Sequence, residues 1–251
     1  MYTKVKTDTE IANMRTSGQM LAKVLDVLVA QAEPGMTGLE AARLASKELK
    51  ALGGKPAFLG YMGFTDVICI SINDEVVHGP PDKREFKADD LVSFDFGVNY
   101  KGMITDAART VIIGGPEAGD ADTRRLVEAT RESLNAAIKA VKGPTPTGDI
   151  GAAVQAVLER NHLGIVRDLV GHGVGHQVHE DPNIPNYGQA GQGPTLEVGM
   201  TVAIEPMATL GKDDVYVKDN GWTYTTKDGS LSAHFEDTIL ITEHGADILT
   251  R

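Results

Sequence analysis

Residues 91 to 113, LVSFDFGVNYKGMITDAARTVII, constrain the fold more than any other stretch. Two apolar runs flank Tyr100-Lys101-Gly102, whose composition suits a hairpin turn. Each run holds one aspartate away from that turn, Asp95 and Asp106. With Lys101-Gly102 as the loop, cross-strand partners have numbers summing to 203, so Asp95 faces Ala108 and Asp106 faces Gly97. Side chains alternate faces along a strand, so both aspartates point the same way, diagonally adjacent. Shifting that sum by two sets them directly opposite. In either register two carboxylates share one apolar face, where they repel each other and lose hydration. A cation between them removes both costs. Taken singly, each aspartate also suits a turn or a sheet edge, so the remaining acids and histidines decide.

The run LVGHGVGHQVHE, 169 to 180, places His172, His176 and His179, three of seven histidines, among three glycines. Glycine lets the backbone approach closely, and imidazole is the commonest transition-metal ligand. The segment reads as a Gly/His-rich loop, which solvent alone would also tolerate. Glu205 ends the apolar run that begins at Met200, and Glu236 lies in an alternating stretch from Leu231 to Thr238. Burying an unpaired carboxylate in such strands is costly.

Around these segments the chain runs twice through one order. A helix over 8 to 31 is capped by Thr7 or Asp8, with Ile11, Met14, Leu21, Leu25 and Leu28 at helical spacing, and Pro34-Gly35 breaks it. A second helix follows Thr37 and ends at Gly53-Gly54; strands are predicted over 67 to 72, 91 to 98 and 103 to 113. The order then recurs: a helix over 121 to 142 broken by Gly143-Pro144, a second after Thr147, and strands over 165 to 170, 200 to 204 and 234 to 241. The segment from Thr37 to Ala42 resembles that from Thr147 to Ala152, an offset of 110, and Asp95 plus 110 is Glu205. Asp106 would map near 216, twenty residues short of Glu236, so a longer polar connection, 211 to 221, intervenes. The expectation is a single domain, 1 to 251, of two pseudo-symmetric α+β halves, about 8 to 115 and 121 to 245. Their strands join one sheet with four helices on one face, and a site lies between the halves.

Composition narrows the function. Lys plus Arg number 24 against 35 Asp plus Glu, a net charge of -11, which disfavours broad phosphate-backbone binding. The lone cysteine, Cys69, permits no intrachain disulfide and no Cys-x-x-Cys zinc motif. The first ten residues contain no apolar signal region, and no run of about 18 apolar residues occurs. A cytoplasmic location with no membrane contact is the expectation.

Taken together, HGPP at 78, FDFGV with TDAART, GHGVGHQVHE, IEPM and SAHFEDTI resemble the type I methionine aminopeptidases of the pita-bread fold, over nearly the whole chain. That resemblance implies a curved, mainly antiparallel sheet with helices on its outer face, and a pair of divalent metal ions. Its five ligands would be Asp95, Asp106, His172, Glu205 and Glu236. Asp106 and Glu236 would bridge the metals, Asp95 would bind one of them, and His172 and Glu205 the other. Catalytic roles would fall to His78, His179 and Glu205. His78 and His179 would contact substrate, and Tyr61, Phe64, Cys69 and Trp222 would surround the methionine side chain. The implied reaction is co-translational removal of the initiator methionine from nascent polypeptides, with a small second residue preferred. The implied setting is a monomer with transient ribosome contact and no sequence-specific nucleic-acid binding.

The donor set makes chemical sense beside the resemblance. Four carboxylates offset two divalent ions, and oxygen-rich ligation with one imidazole suits cobalt, manganese or iron, with zinc and nickel as further candidates. A monovalent cation would be an additional ion. An apolar, aromatic pocket suits a polarizable thioether. Two positions depart from the bacterial pattern, Val178 where phenylalanine is usual and Phe58 where a small residue is frequent, which leaves the pocket's shape open.

X-Pro aminopeptidases and dipeptidases share fold and ligand types but resemble this chain only after a large N-terminal domain. Here the first site histidine stands at 78, and no such extension is expected. Type II methionine aminopeptidases insert a segment between the second histidine and the first glutamate; 205 minus 179 leaves only 26. A non-catalytic pita-bread binding protein would lose ligands and tend to be basic.

Overall fold

The computed structural model describes residues 2–251. Helix α1 spans Asp8–Gln31 and α2 spans Gly38–Leu52. Each opens on a capping box, Thr7 with Glu10 and Thr37 with Glu40. The threonine oxygen accepts the glutamate's amide while the glutamate carboxylate accepts the threonine's, so two orphan donors are satisfied together. Helix α2 closes on Gly53 at φ 83°, a left-handed cap that costs glycine little. Helices α3, Ala121–Ala140, and α4, Thr147–Arg160, follow. Asp120 caps α3, whereas no side chain caps α4, so the likeness of Thr147 to Thr37 does not extend to capping.

Nine strands build the main sheet: β1 Lys55–Pro56, β2 Ile68–Ile72, β3 Leu91–Tyr100, β4 Met103–Ile112, β5 Gly171–Gly173, β6 Glu180–Ile184, β7 Thr201–Ile204, β8 Glu236–Thr242 and β9 Gly245–Ile248. Their order is β1-β3-β4-β8-β7-β5-β6, with β2 beside β3 and β9 beside β8, and all pairs are antiparallel. The β3–β4 hairpin adopts the first of the two registers, Asp95 opposite Ala108 and Gly97 opposite Asp106.

Alternation divides the sheet into two faces. Phe94, Phe96, Val98, Ile68 and Ile70 pack against Leu21, Leu25, Ala41 and Ala45 of α1 and α2. Val202, Ile204, Ile239 and Ile241 pack against Leu126, Leu134, Ile150 and Val154 of α3 and α4. Each of the Val, Leu, Ile and Phe side chains contributes roughly 1.5–3 kcal/mol on burial, so one face of the sheet is committed to the helices. The other face is left to the acids.

Three expectations need correction. The strands do not all join one sheet: Ser232–His234, Met207–Thr209 and Gly164–Ile165 form a second, Val215–Val217, Tyr224–Thr226 and Glu75–Val77 a third, and Thr195–Leu196 with Thr145–Pro146 a fourth. The strand expected over 165 to 170 is only Gly164–Ile165, extended by the Val166 amide donating to the Met207 carbonyl at 3.2 Å. The strand expected over 234 to 241 is interrupted at Phe235, where the chain leaves the second sheet for the main one.

Candidate metal centre

One rung of the main sheet carries much of the site. Cys69 on β2 pairs with Asp95 on β3, Asp95 with Ala108 on β4, and Ala108 with Glu236 on β8. Residues on one rung share a face, and Asp106, two before Ala108, shares it too. On the other side His172 on β5 pairs with Ala203 on β7, and Ala203 with Thr238 on β8. Glu205 lies two beyond Ala203, just past the end of β7. Thr238 Oγ1 accepts from the Asp106 amide at 2.9 Å and donates to its carbonyl at 2.8 Å, tying the two sides together.

His172 therefore sits on a strand, not in the loop expected for it. The glycines explain this: a Cβ at Gly171 would come within 2.5 Å of the Ala203 carbonyl oxygen, so only glycine lets β5 lie so close to β7. The ordered loop begins beyond, and it carries His179.

Asp106, His172 and Glu236 each offer a ligand atom within 4.8 Å of the others. His172 Nε2 lies 3.4 Å from Glu205 Oε1. His172 Nδ1 is 2.9 Å from the Gly173 carbonyl, which only accepts, so Nδ1 holds the proton and Nε2 presents a lone pair to the acids. Asp95 and Asp106 lie within hydrogen-bonding reach of each other. Asp95 Oδ1, Asp106 Oδ1 and Glu236 Oε1 are buried without a hydrogen-bond partner among the described residues. Burial, with the neighbouring carboxylates adding, pushes Asp95, Glu205 and Glu236 well above the usual carboxylate range. Burial lifts Asp106 to about 7 and lowers His172 to about 3. Buried, mutually repelling oxygens without donors, beside an imidazole lone pair, fit a divalent cation.

The acids floor a cavity of about 260 Å³. Its apolar part is formed by Phe58, Tyr61, Phe64, Cys69, Val178 and Trp222. The rings of Phe64 and Trp222 meet edge to face at 5.1 Å. Phe58 and Val178, the two departures from the bacterial pattern, both line this wall, and Phe58 lies over Gly97, where a Cβ would come within 2.5 Å of its ring. Burial raises the Cys69 thiol well above its ordinary value, so it lines the cavity as a neutral, weakly polar group.

His78 and His179 line the same cavity from separate segments. His179 packs edge-on against His172 at 4.3 Å, and its Nδ1 is 3.0 Å from the Tyr61 hydroxyl. His78 adopts φ 60°, unfavourable for a side chain with a Cβ, and stacks edge-on against Tyr224 at 5.7 Å. Burial lowers both imidazoles, His78 to about 4, so each is neutral near pH 7. His176, the third histidine of the run, bonds Glu10 at 2.8 Å and stays out of the cavity.

All the site residues expected from sequence therefore converge. One side chain close to the acids was missed: His234, whose Nε2 lies 3.7 Å from Glu205 Oε2 and 3.9 Å from Glu236 Oε2. Its place two residues before Glu236 was a readable signal, because alternation puts both on one face. Met62 and Tyr224, at the mouth, carried none.

The model of metallopeptidase family M24 matches residues 12–243. A methionine aminopeptidase of Clostridium acetobutylicum is 44% identical over 248 residues, covering 98% of each chain. The crystal structure of a methionine aminopeptidase from Thermotoga maritima superposes with a TM-score of 0.96 at 46% identity, covering 99% of both chains. A prolidase from Pyrococcus furiosus shares the fold alone, with a TM-score of 0.78 at 24% identity over 65% of its length.

Proposed function

The chain belongs to metallopeptidase family M24, and on that premise we propose how it hydrolyses the bond after an N-terminal methionine. It is a metallo-aminopeptidase that removes N-terminal methionine from polypeptides. In our reading Asp95, Asp106, His172, Glu205 and Glu236 would hold two divalent ions of manganese, iron or cobalt. Such ions, when bound, activate a water and polarise the scissile carbonyl. The observation that carries this reading is the set of buried, donor-free carboxylate oxygens converging with His172 Nε2 at the floor of an apolar cavity.

The chain's own residues do the rest. Phe58, Phe64, Cys69, Val178 and Trp222 receive the methionine side chain. The substrate's free α-amine would bind at those ions, which favours an exopeptidase. Glu205, half-embraced by His172, passes a proton from the attacking water to the leaving amine. His78 and His179 hydrogen-bond the scissile amide as its carbonyl becomes tetrahedral, with Tyr61 fixing the His179 ring.

The same reading takes the chain as one catalytic domain of two related halves, working as a cytoplasmic monomer on nascent chains with transient ribosome contact. A small residue after methionine is preferred. Among the described residues no helix is long and apolar enough to cross a membrane. The test is hydrolysis of Met-Ala-Ser, Met-Lys-Ser and Ala-Pro peptides by protein supplied with Mn²⁺, Fe²⁺ or Co²⁺. Efficient release of methionine from Met-Ala-Ser alone is expected; equal kcat/KM on Met-Lys-Ser would refute the small-residue preference, and preferential cleavage of Ala-Pro the assignment itself.

A further inference from the structure

His234 is buried, with 1% of its surface exposed, and neither ring nitrogen has a hydrogen-bond partner among the described residues. Its main chain is held twice by Thr110: the His234 amide donates to Thr110 Oγ1 at 2.9 Å, and its carbonyl accepts from that hydroxyl at 2.7 Å. Pairing with Met207 fixes the strand from its other edge. The main chain is thus fixed at a position where the ring is buried from solvent. An imidazole carries at least one N–H, and a buried donor left unpaired is costly.

The groups its Nε2 faces are both metal-centre acids, Glu205 Oε2 at 3.7 Å and Glu236 Oε2 at 3.9 Å. A shift of about 1 Å in either carboxylate closes a charge-assisted hydrogen bond. The opposite oxygen of Glu205 faces His172 Nε2 at 3.4 Å, so Glu205 stands between two imidazoles, one at each oxygen. His234 lies outside the compact set of Asp106, His172 and Glu236.

We propose that His234 is a positioning residue of the metal centre: its Nε2–H donates to Glu205 and Glu236, fixing their orientation toward a divalent cation without ligating it. This rests on the five-ligand reading above. Metal-ligating carboxylates that lose such a partner typically lose 10–100-fold in metal affinity.

The test uses Mn²⁺ as probe on wild type, His234→Gln, which keeps an N–H donor, and His234→Leu and His234→Met, which have none. Calorimetry gives affinity and stoichiometry, and pulsed EPR counts imidazole nitrogens bound to Mn²⁺. One coordinated imidazole is expected throughout, with affinity for at least one ion reduced about 10-fold or more in His234→Leu and His234→Met, and restored to within about 3-fold in His234→Gln. Wild-type affinity in either variant without a donor overturns the proposal. Loss of a coordinated nitrogen on replacing His234 also overturns it, by making His234 a ligand. A wild-type protein that binds no Mn²⁺ instead overturns the five-ligand reading on which the proposal depends.

Discussion

Arg109 and Asp237 meet on the face of the sheet opposite the acids, with Arg109 Nη2 2.7 Å from Asp237 Oδ1. The same guanidinium donates from Nη1 to the carbonyls of Glu236 at 2.6 Å and Ala108 at 2.9 Å. It thus grips the main chain on both sides of the seam where β4 meets β8, directly behind Glu236. Asp237 is fully buried and also takes Arg251 and Thr250. Removing one partner of a buried pair strands the other, and Arg251 compensates only from one side. Arg109→Met is expected to cost about 3 kcal/mol in urea denaturation, with metal affinity falling as Glu236 loosens. A change under about 0.5 kcal/mol would mean the seam is held elsewhere.

The titrating groups make a pH prediction with a definite sign. The buried carboxyls are raised, Asp106 to about 7. Stability from such groups is present below the unfolded value of about 3.9 and is lost as pH rises through the folded one. His78, at about 4, and His172 and His234, each at about 3, are lowered. Their contribution is present above about 6.5 and lost as pH falls. The two sets oppose each other between about 4 and 6.5, and above that only the carboxyls act. Metal-free protein should therefore lose thermal stability as pH rises from about 6.5 to 8, and saturating Mn²⁺, by displacing the protons, should cancel the loss. Melting curves with and without Mn²⁺ decide it; a metal-free Tm that climbs across this window contradicts the assignment.

Asp106→Asn keeps the side chain's volume but removes a charge from the compact set with His172 and Glu236. It should weaken metal loading and lower activity by at least about 100-fold. Wild-type metal content and rate in this variant would reduce Asp106 to a hairpin residue.

His78→Ala and His179→Ala should each keep about two metals per chain while losing most of kcat, by ~10²–10³, with smaller changes in KM. Metal content and kcat measured on the same preparations separate this role from ligation. Loss of a metal from His179→Ala would redraw the ligand set around that residue.

How much of this was legible in the sequence follows from how local each signal is. Turn position and alternation left two β3–β4 registers open, of which the structure adopts one, and both place Asp95 and Asp106 on one face before any tertiary information. Helix α1 was readable from Ile11, Met14, Leu21, Leu25 and Leu28 at helical spacing, and α2 from its punctuation by Thr37 and Gly53-Gly54. The strand bearing His172 was not, because three glycines signal a loop, and their tolerance of close packing shows only against Ala203. The pairing of Ala108 with Glu236 joins segments 128 residues apart and has no local signature. His234 was legible through its alternation with Glu236 in the stretch read as one strand, whereas its approach to Glu205, 29 residues earlier, has no local signature.

The central claim is that the converging acids and His172 hold the ions on which methionine release depends. Its most direct test is the rate of Met-Ala-Ser hydrolysis by chelator-stripped protein, with metal counted by elemental analysis before and after Mn²⁺, Fe²⁺ or Co²⁺ is returned. Negligible turnover is expected in the stripped protein, with recovery that follows metal content up to about two ions per chain. Full turnover by protein shown to be free of metal would contradict it.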